Sequence, residues 1–221
     1  MRTRALILLT VPFIVLPQSL ASQGLAVGVR VGTLGFGGEL AYDLNEKVVL
    51  RGGLGAFPVD YDGEFDGVEY KVTPPSLMMN LGIDLYPTGG SFRLMAGLLY
   101  RDGDFNAETG SLADYEGSLE IGDGVYDQDG SLGGIISSRS TAPFVGVGFG
   151  RHTSSGFGVF MDFGLAFVGD PDVTLSASGP IEFVPGIEED LEKEARAIEE
   201  DADAYLRYWP ILSIGVRLPF N

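Results

Sequence analysis

The 221-residue chain contains no cysteine, which excludes a disulfide framework and any site built on thiolates. A metal site or a Ser-His catalytic arrangement has only one histidine, His152, to draw on. Basic residues are scarce: 14 Lys and Arg stand against 31 Asp and Glu, a formal charge of −17. Nucleic acid is thereby excluded as a partner, because binding a phosphate backbone requires clustered cations. Beyond the first 21 residues no run of 18 apolar residues occurs, so no membrane-crossing helix is expected there.

Glycine is abundant, with 33 residues, and phenylalanine and tyrosine add 23 more, a balance suited to β-structure with close backbone approaches. Residues 1–21 read as a signal peptide. Arg2 and Arg4 form a positive start, Ala5 to Leu16 is apolar and uncharged, and Ser19-Leu20-Ala21 is a small-x-small cleavage site. A mature domain over 22–221 is expected. Loss of Arg2 and Arg4 leaves 12 basic residues against 31 acidic, a net charge of −19.

The rest is a series of period-2 segments. Phe157, Val159, Met161, Phe163, Leu165 and Phe167 alternate with Gly158, Phe160, Asp162, Gly164 and Ala166. Leu77, Met79, Leu81, Ile83 and Leu85 alternate with Asn80, Gly82 and Asp84 among others. Similar sets run from Phe92 to Arg101 and from Leu212 to Phe220. One face is continuously apolar and the other mixes Gly, Ala, Asn, Asp and Arg. Lipid contact outside a narrow polar lumen produces that pattern. Segments of this length cross a bilayer when tilted, and closure is then obligatory, because an open edge leaves backbone groups unpaired in lipid.

Connections alternate between short ones (43–47, 87–90, 151–156) and long acidic ones (61–71, 103–136, 170–207). Short turns at one end and long loops at the other is the outer-membrane pattern. Within these, 106–136 is expected to be a long acidic loop. The apolar phase flips near Gly32-Thr33. Either a bulge within one strand or a very tight hairpin between two explains it; an even strand count favours two. Over 187–206 the period changes. Ile187, Leu191, Ala195, Ile198, Ala202 and Tyr205 recur at spacings of three and four, with Glu189–Lys193 and Glu192–Arg196 as favourable i,i+4 pairs. This predicts an acidic amphipathic helix that packs on the barrel rim, against extended strand ends or on a partner.

The expected fold is therefore all-β: a closed antiparallel up-and-down transmembrane β-barrel of about eight strands, with one helix before the last strand. Residues 24–105 and 137–220 resemble small bacterial outer-membrane barrels of the OmpA-transmembrane-domain, OmpW and opacity-protein type. The matching features are the signal segment, the Tyr42-Asp43-Leu44-Asn45 turn leading into Val48-Val49-Leu50-Arg51, and the last strand from Trp209 to Phe220. That strand looks like the signal read by the barrel-assembly machinery, with Leu212, Ile214, Val216 and Leu218 alternating toward the aromatic Phe220; Asn221 after the aromatic departs from the commonest form. The resemblance implies outer-membrane lipid and that machinery as partners. The expected role is structural or surface-interacting in an integral, non-enzymatic monomer. The alternatives are a narrow porin-like channel for small solutes and, more remotely, a lipid-modifying barrel enzyme.

Expected lumen-facing charges are Arg30, Glu39, Arg51, Asp84, Arg93, Arg101, Asp162 and Arg217. Buried charges need partners, so these read either as a salt-bridge network filling a narrow lumen or as an Arg-lined solute path. His152, with Ser154 and Ser155, reads as part of a solvated turn. The carboxylates of 60–67 and of Asp123, Asp127 and Asp129 do not fit the EF-hand spacing. They read as solvated loops, with capture of divalent cations as the alternative. Tyr205, Tyr208 and Trp209 read as an interfacial aromatic girdle, with a sugar platform as the alternative. No pattern implies a cofactor. If the last strand is the assembly signal, Phe220→Ala lowers the yield of folded protein in the outer membrane, read by fractionation and heat-modifiability on gels. Equal yields contradict it.

Overall fold

The computed structural model describes residues 24–57, 60–65, 68–112, 118–151 and 157–220, with backbone alone for 64, 65, 68, 70, 201–205, 219 and 220. The signal segment, His152, Ser154 and Ser155, and the side chain of Phe220 lie outside the described residues.

Eight strands close a barrel. In chain order they are β1 (Leu25–Gly32), β2 (Phe36–Asn45), β3 (Val48–Ala56), β6 (Leu77–Leu85), β7 (Phe92–Asp102), β12 (Thr141–Phe149), β13 (Gly158–Phe167) and β15 (Tyr208–Phe220). Each pairs antiparallel with its neighbour, and β1 pairs with β15 to complete the circle. The ambiguous N-terminal region is two strands. Leu25 pairs with Tyr42 and Arg30 with Gly37. The chain reverses through Thr33-Leu34, where the Gly35 N–H donates to the Gly32 carbonyl at 3.0 Å. Gly35 has φ 81°, and a Cβ there would lie 2.6 Å from the Ala56 carbonyl oxygen, so the turn requires glycine on two counts.

Every barrel strand carries a large apolar side chain about half-exposed on its outer face: Val29, Leu40, Leu54, Leu81, Leu98, Val145, Val159 and Ile214, at 48–58%. Among residues expected to face lipid, Ile83, Phe157 and Phe163 are also exposed, while Leu77 and Val216 are half-buried. A continuous apolar belt of this size does not persist in water, and its physical complement is a bilayer. The chain is a transmembrane β-barrel of the outer-membrane type.

The long connections differ from the expectation of loops. Five strands, β4 (Tyr61–Phe65), β5 (Val68–Thr73), β8 (Phe105–Thr109), β11 (Ser131–Ser137) and β14 (Asp172–Ser178), form a second sheet in the order β14-β11-β8-β5-β4. The hairpin β9 (Leu119–Ile121) and β10 (Gly124–Tyr126) stands beside it. Most of the described residues of 106–136 are therefore in strands. Each of the five follows or precedes a barrel strand after a short break, so the sheet continues the wall of the barrel. Pro74 and Pro75, and the positive-φ glycines Gly103 and Gly169, make some of those breaks. Proline cannot donate to the ladder and these glycines leave the β region, which is why the sequence reads as a loop there.

The helix α1 (Ile187–Leu206) has the expected bounds and follows a short 3-10 turn at Pro180–Phe183. Ile187, Leu191 and Ala195 are buried. They sit against β14 and β9, and Ile187 and Leu191 join a core with Leu112, Ile121, Tyr126 and Ile181. Polar ties hold the helix as well. Glu199 accepts from the Val173 N–H at 2.7 Å, and Tyr126 donates to Asp190 at 2.7 Å. That bond, with support from Lys193, holds the Asp190 carboxyl below its usual range. Lys193 bridges Glu189 and Asp123 at 3.1 Å each. No helix among the described residues is long and apolar enough to cross a membrane.

Leu81 lies mid-strand on the outer face, paired with Gly52 and Leu98. Leu81→Arg puts a cation near the bilayer midplane and costs about 2–4 kcal/mol. Urea unfolding in lipid vesicles reads this, and Lys71→Arg on the exposed outer sheet, unchanged in stability, is the control.

Candidate functional site

The lumen is the first candidate. Inward positions form three tiers, and the middle one is ionic. Arg51 meets Asp162 at 2.5 Å, Asp84 at 3.2 Å and Glu39 at 3.6 Å. Arg93 meets Asp84 at 3.1 Å, pairs closely with Asp162, and donates to the Gly150 carbonyl at 2.6 Å. Arg217 pairs with Glu39 at 2.6 Å and lies 4.0 Å from the centroid of the Phe160 ring. Arg30 donates to the Asn80 side-chain oxygen at 2.6 Å. All seven charged residues are buried, none more than 3% exposed. Seven of the eight expected lumen charges are thus brought together. The eighth, Arg101, is buried nearer the outer end, where it donates to the Ser138 hydroxyl at 2.5 Å.

Glycines on the neighbouring strands stand opposite these side chains. Arg93 lies opposite Gly148, Arg51 opposite Gly82, Glu39 opposite Gly28 and Gly53, Arg217 opposite Gly28 and Gly158, and Arg30 opposite Gly37 and Gly215. A Cβ at Gly148 would lie 2.7 Å from the Arg93 guanidinium and 2.8 Å from Asp162. A Cβ at Gly53 would lie 2.9 Å from Asn80. A side chain at either position would have to push aside the Arg93–Asp162 pair or the Arg30–Asn80 bond.

Apolar tiers close both ends of the ionic one. At the short-turn end Ala26, Ala41, Val49 and Tyr86 form a small core. Toward the outer end Leu34, Met78, Met95, Leu99, Phe144 and Ile211 form a larger one. The sequence reading described the lumen face as small or polar and missed these. The alternation was the available signal, since Met78, Met95 and Leu99 share the phase of Asn80, Arg93 and Arg101.

The aromatic group at the head of β15 is split. Tyr208 is exposed and meets Phe167 edge-on at 5.6 Å, as a girdle residue does. Trp209 instead turns inward, stacks on Phe105 at 5.1 Å and donates to the Thr33 carbonyl at 3.2 Å. Adjacent strand residues point to opposite faces, so both could not face lipid. Of the suggested assembly signal, Leu212, Ile214 and Leu218 are exposed on the outer face of β15, and Val216 is half-buried there.

The acidic stretches are tied up locally. Asp60 pairs with Lys71 at 2.9 Å and accepts from Thr73 at 3.0 Å, which keeps its carboxyl below the usual range. Asp129 accepts from Ser111 at 3.2 Å and from the Gly130 N–H at 2.6 Å. Asp127 has Gln128 beside it. Among the described residues no group of three or more His, Asp or Glu is placed to hold a metal ion.

No protein-family model matches the chain, and no curated protein matches it. Solved structures similar to the chain include two from one organism. Acinetobacter baumannii CarO superposes with a TM-score of 0.63 at 25% identity, over 87% of this chain and 96% of that one. Acinetobacter baumannii CarO2 superposes with a TM-score of 0.63 at 23% identity, over 88% and 97%. The similarity takes in most of each chain, so it spans the barrel together with much of what the long connections build.

Asp162 is the hinge of the ionic tier, bound to both Arg51 and Arg93. Asp162→Ala leaves these cations short of a carboxylate and destabilises the barrel by about 3–5 kcal/mol. Replacing Asp162 and Arg93 together by Asn and Met restores part of that loss, read as recovery of the urea midpoint.

Proposed function

We propose that the chain is an integral outer-membrane protein whose barrel is a closed anchor, and whose second sheet and helix form a head that acts at the cell surface. The observation that carries this reading is the filled lumen. Ion-paired side chains occupy its middle, and apolar side chains occupy both ends. An eight-strand barrel has room for little else. Most of the folded structure outside the barrel lies at the end with the long connections, which in outer-membrane barrels is the extracellular one. It has its own hydrophobic core, so it is a built element and not a set of solvated loops.

In this reading outer-membrane lipid surrounds the apolar belt. The barrel-assembly machinery recognises the strand ending at Phe220, and the protein acts as a monomer after loss of residues 1–21. Kinship with the OmpA-transmembrane-domain, OmpW and opacity-protein group belongs to the same proposal, carried by the signal segment, the 42–45 turn and the last strand. The porin-like alternative requires the Arg51–Asp162–Arg93 cluster and the tier around Phe144 to part together. The non-enzymatic reading belongs to the same proposal.

Planar-bilayer recording tests this. The purified full chain gives no discrete openings. A variant with Phe144→Ala and Met95→Ala, which thins the outer apolar tier, gives small leaks at most, because the ionic tier still blocks. Defined, selective openings of the wild type overturn the closed-anchor reading.

A further inference from the structure

The four arginines of the ionic tier each have a carboxylate or amide acceptor, but Arg101 is placed differently. It is 2% exposed, and among the described residues no ion pair reaches it. Its recorded contacts are the Ser138 hydroxyl and the Phe105 ring, whose centroid lies 5.8 Å from the guanidinium carbon. Asp104 acts on it only at longer range. Like those of Arg30 and Arg217, its Nε has no acceptor among the described residues. A buried cation without a carboxylate is costly, and such groups mark places where an anion can be received.

Arg101 also lines a cleft of about 350 Å³ between the barrel mouth and the second sheet, walled by Phe105, Ile136, Trp209 and the end of α1 at Leu206. A second hollow of about 220 Å³ lies between the sheet and the helix, sharing Ala107 with the first and lined by Leu191 and Ile198. A mainly apolar cleft of this size with a few polar groups, here Arg101, Ser138 and Asn106, is the usual form of a small-molecule site. The Ser138 hydroxyl accepts from Arg101, so its own proton remains free to donate to a second oxygen. The net charge of −17 disfavours polyanions, which leaves singly charged ligands.

We propose that this cleft binds a small organic monocarboxylate with an aromatic or aliphatic body. The carboxylate sits on Arg101 and Ser138, and the apolar body lies between Phe105, Trp209 and Ile136. The site belongs to the mouth and needs no passage through the lumen, so it stands or falls apart from the closed-anchor reading.

Trp209 is the only tryptophan in the chain and forms a wall of the cleft, so its fluorescence reports occupancy directly. The full-length protein in detergent is titrated with 3-phenylpropionate and, in parallel, with the neutral 3-phenylpropanol. The acid produces a saturable change in Trp209 emission, and the alcohol binds about tenfold more weakly or worse, as expected for loss of a charge-assisted hydrogen bond. Arg101→Gln removes the preference for the acid, with folding verified by heat-modifiability. The wild-type comparison decides the matter even if that variant fails to fold. Equal affinity for acid and alcohol, no saturable change, or an acid preference that survives in folded Arg101→Gln overturns the proposal.

Discussion

The width of an eight-strand lumen is the constraint on which the rest of this structure depends. At any level the interior holds only a few side chains, so large ones on adjacent strands crowd one another. The long charged side chains of the ionic tier each face a glycine on at least one neighbouring strand. Gly148 makes room for Arg93 and Asp162, Gly53 for Arg30 and Asn80, and Gly28 for Glu39. Phe160 follows the same rule, with Gly215 opposite it and the Arg217 guanidinium over its ring. Gly28, Gly53 and Gly148 thus make room for interior charge, whereas Gly37, Gly97 and Gly164 lie against the backbone of neighbouring strands. Glycine at such positions offsets in volume what it forfeits in strand propensity.

Enclosure then determines what those charges do. A buried ion pair is worth little or nothing if its desolvation is not offset by close, multiple contacts. Here Asp162 serves two arginines and Arg51 serves three carboxylates, so these two ions each have more than one partner. The apolar tiers above and below keep water from competing for them, which strengthens each pairing. The same arrangement makes the tier a poor channel lining. A passing solute would have to displace partners that are already in contact, within a space already filled.

Much of this was legible in the sequence, for a physical reason. Lipid on one side and a narrow lumen on the other impose period 2 on every crossing, so strands such as 76–86 and 157–167 declare both faces. The helix was legible because Ile187, Leu191 and Ala195 break that period cleanly. The charged inward residues could be named from phase alone, but which of them meet depends on register between strands far apart in the chain, as Arg51 and Asp162 do. The apolar tiers were obscured because Met78 or Leu99 looks the same whether it faces lipid or lumen. The second sheet was hidden by its short strands and by the prolines and glycines that divide them from the barrel. Trp209 was misplaced because a cluster of aromatics was read by composition when alternation should have separated it from Tyr208.

The second sheet is also what makes the outer mouth asymmetric. Barrel strands β3, β6, β7, β12 and β13 continue into it, while β1 and β2 reverse at once through the Gly32–Gly35 turn and β15 begins at the end of the helix. A wall therefore rises on one side only. The apolar inner face of that wall must be covered. Over Val173, Leu175 and Ala177 the cover is α1 and the core around Leu191. Lower down, where β7 passes into β8, the helix has moved on toward β15, and the cover is limited to the Phe105–Trp209 stack. Arg101 lies at that seam, beyond reach of the carboxylates deeper in the lumen and under residues too apolar to pair with it. Its unmet bonding capacity follows from where the barrel ends and the second sheet begins.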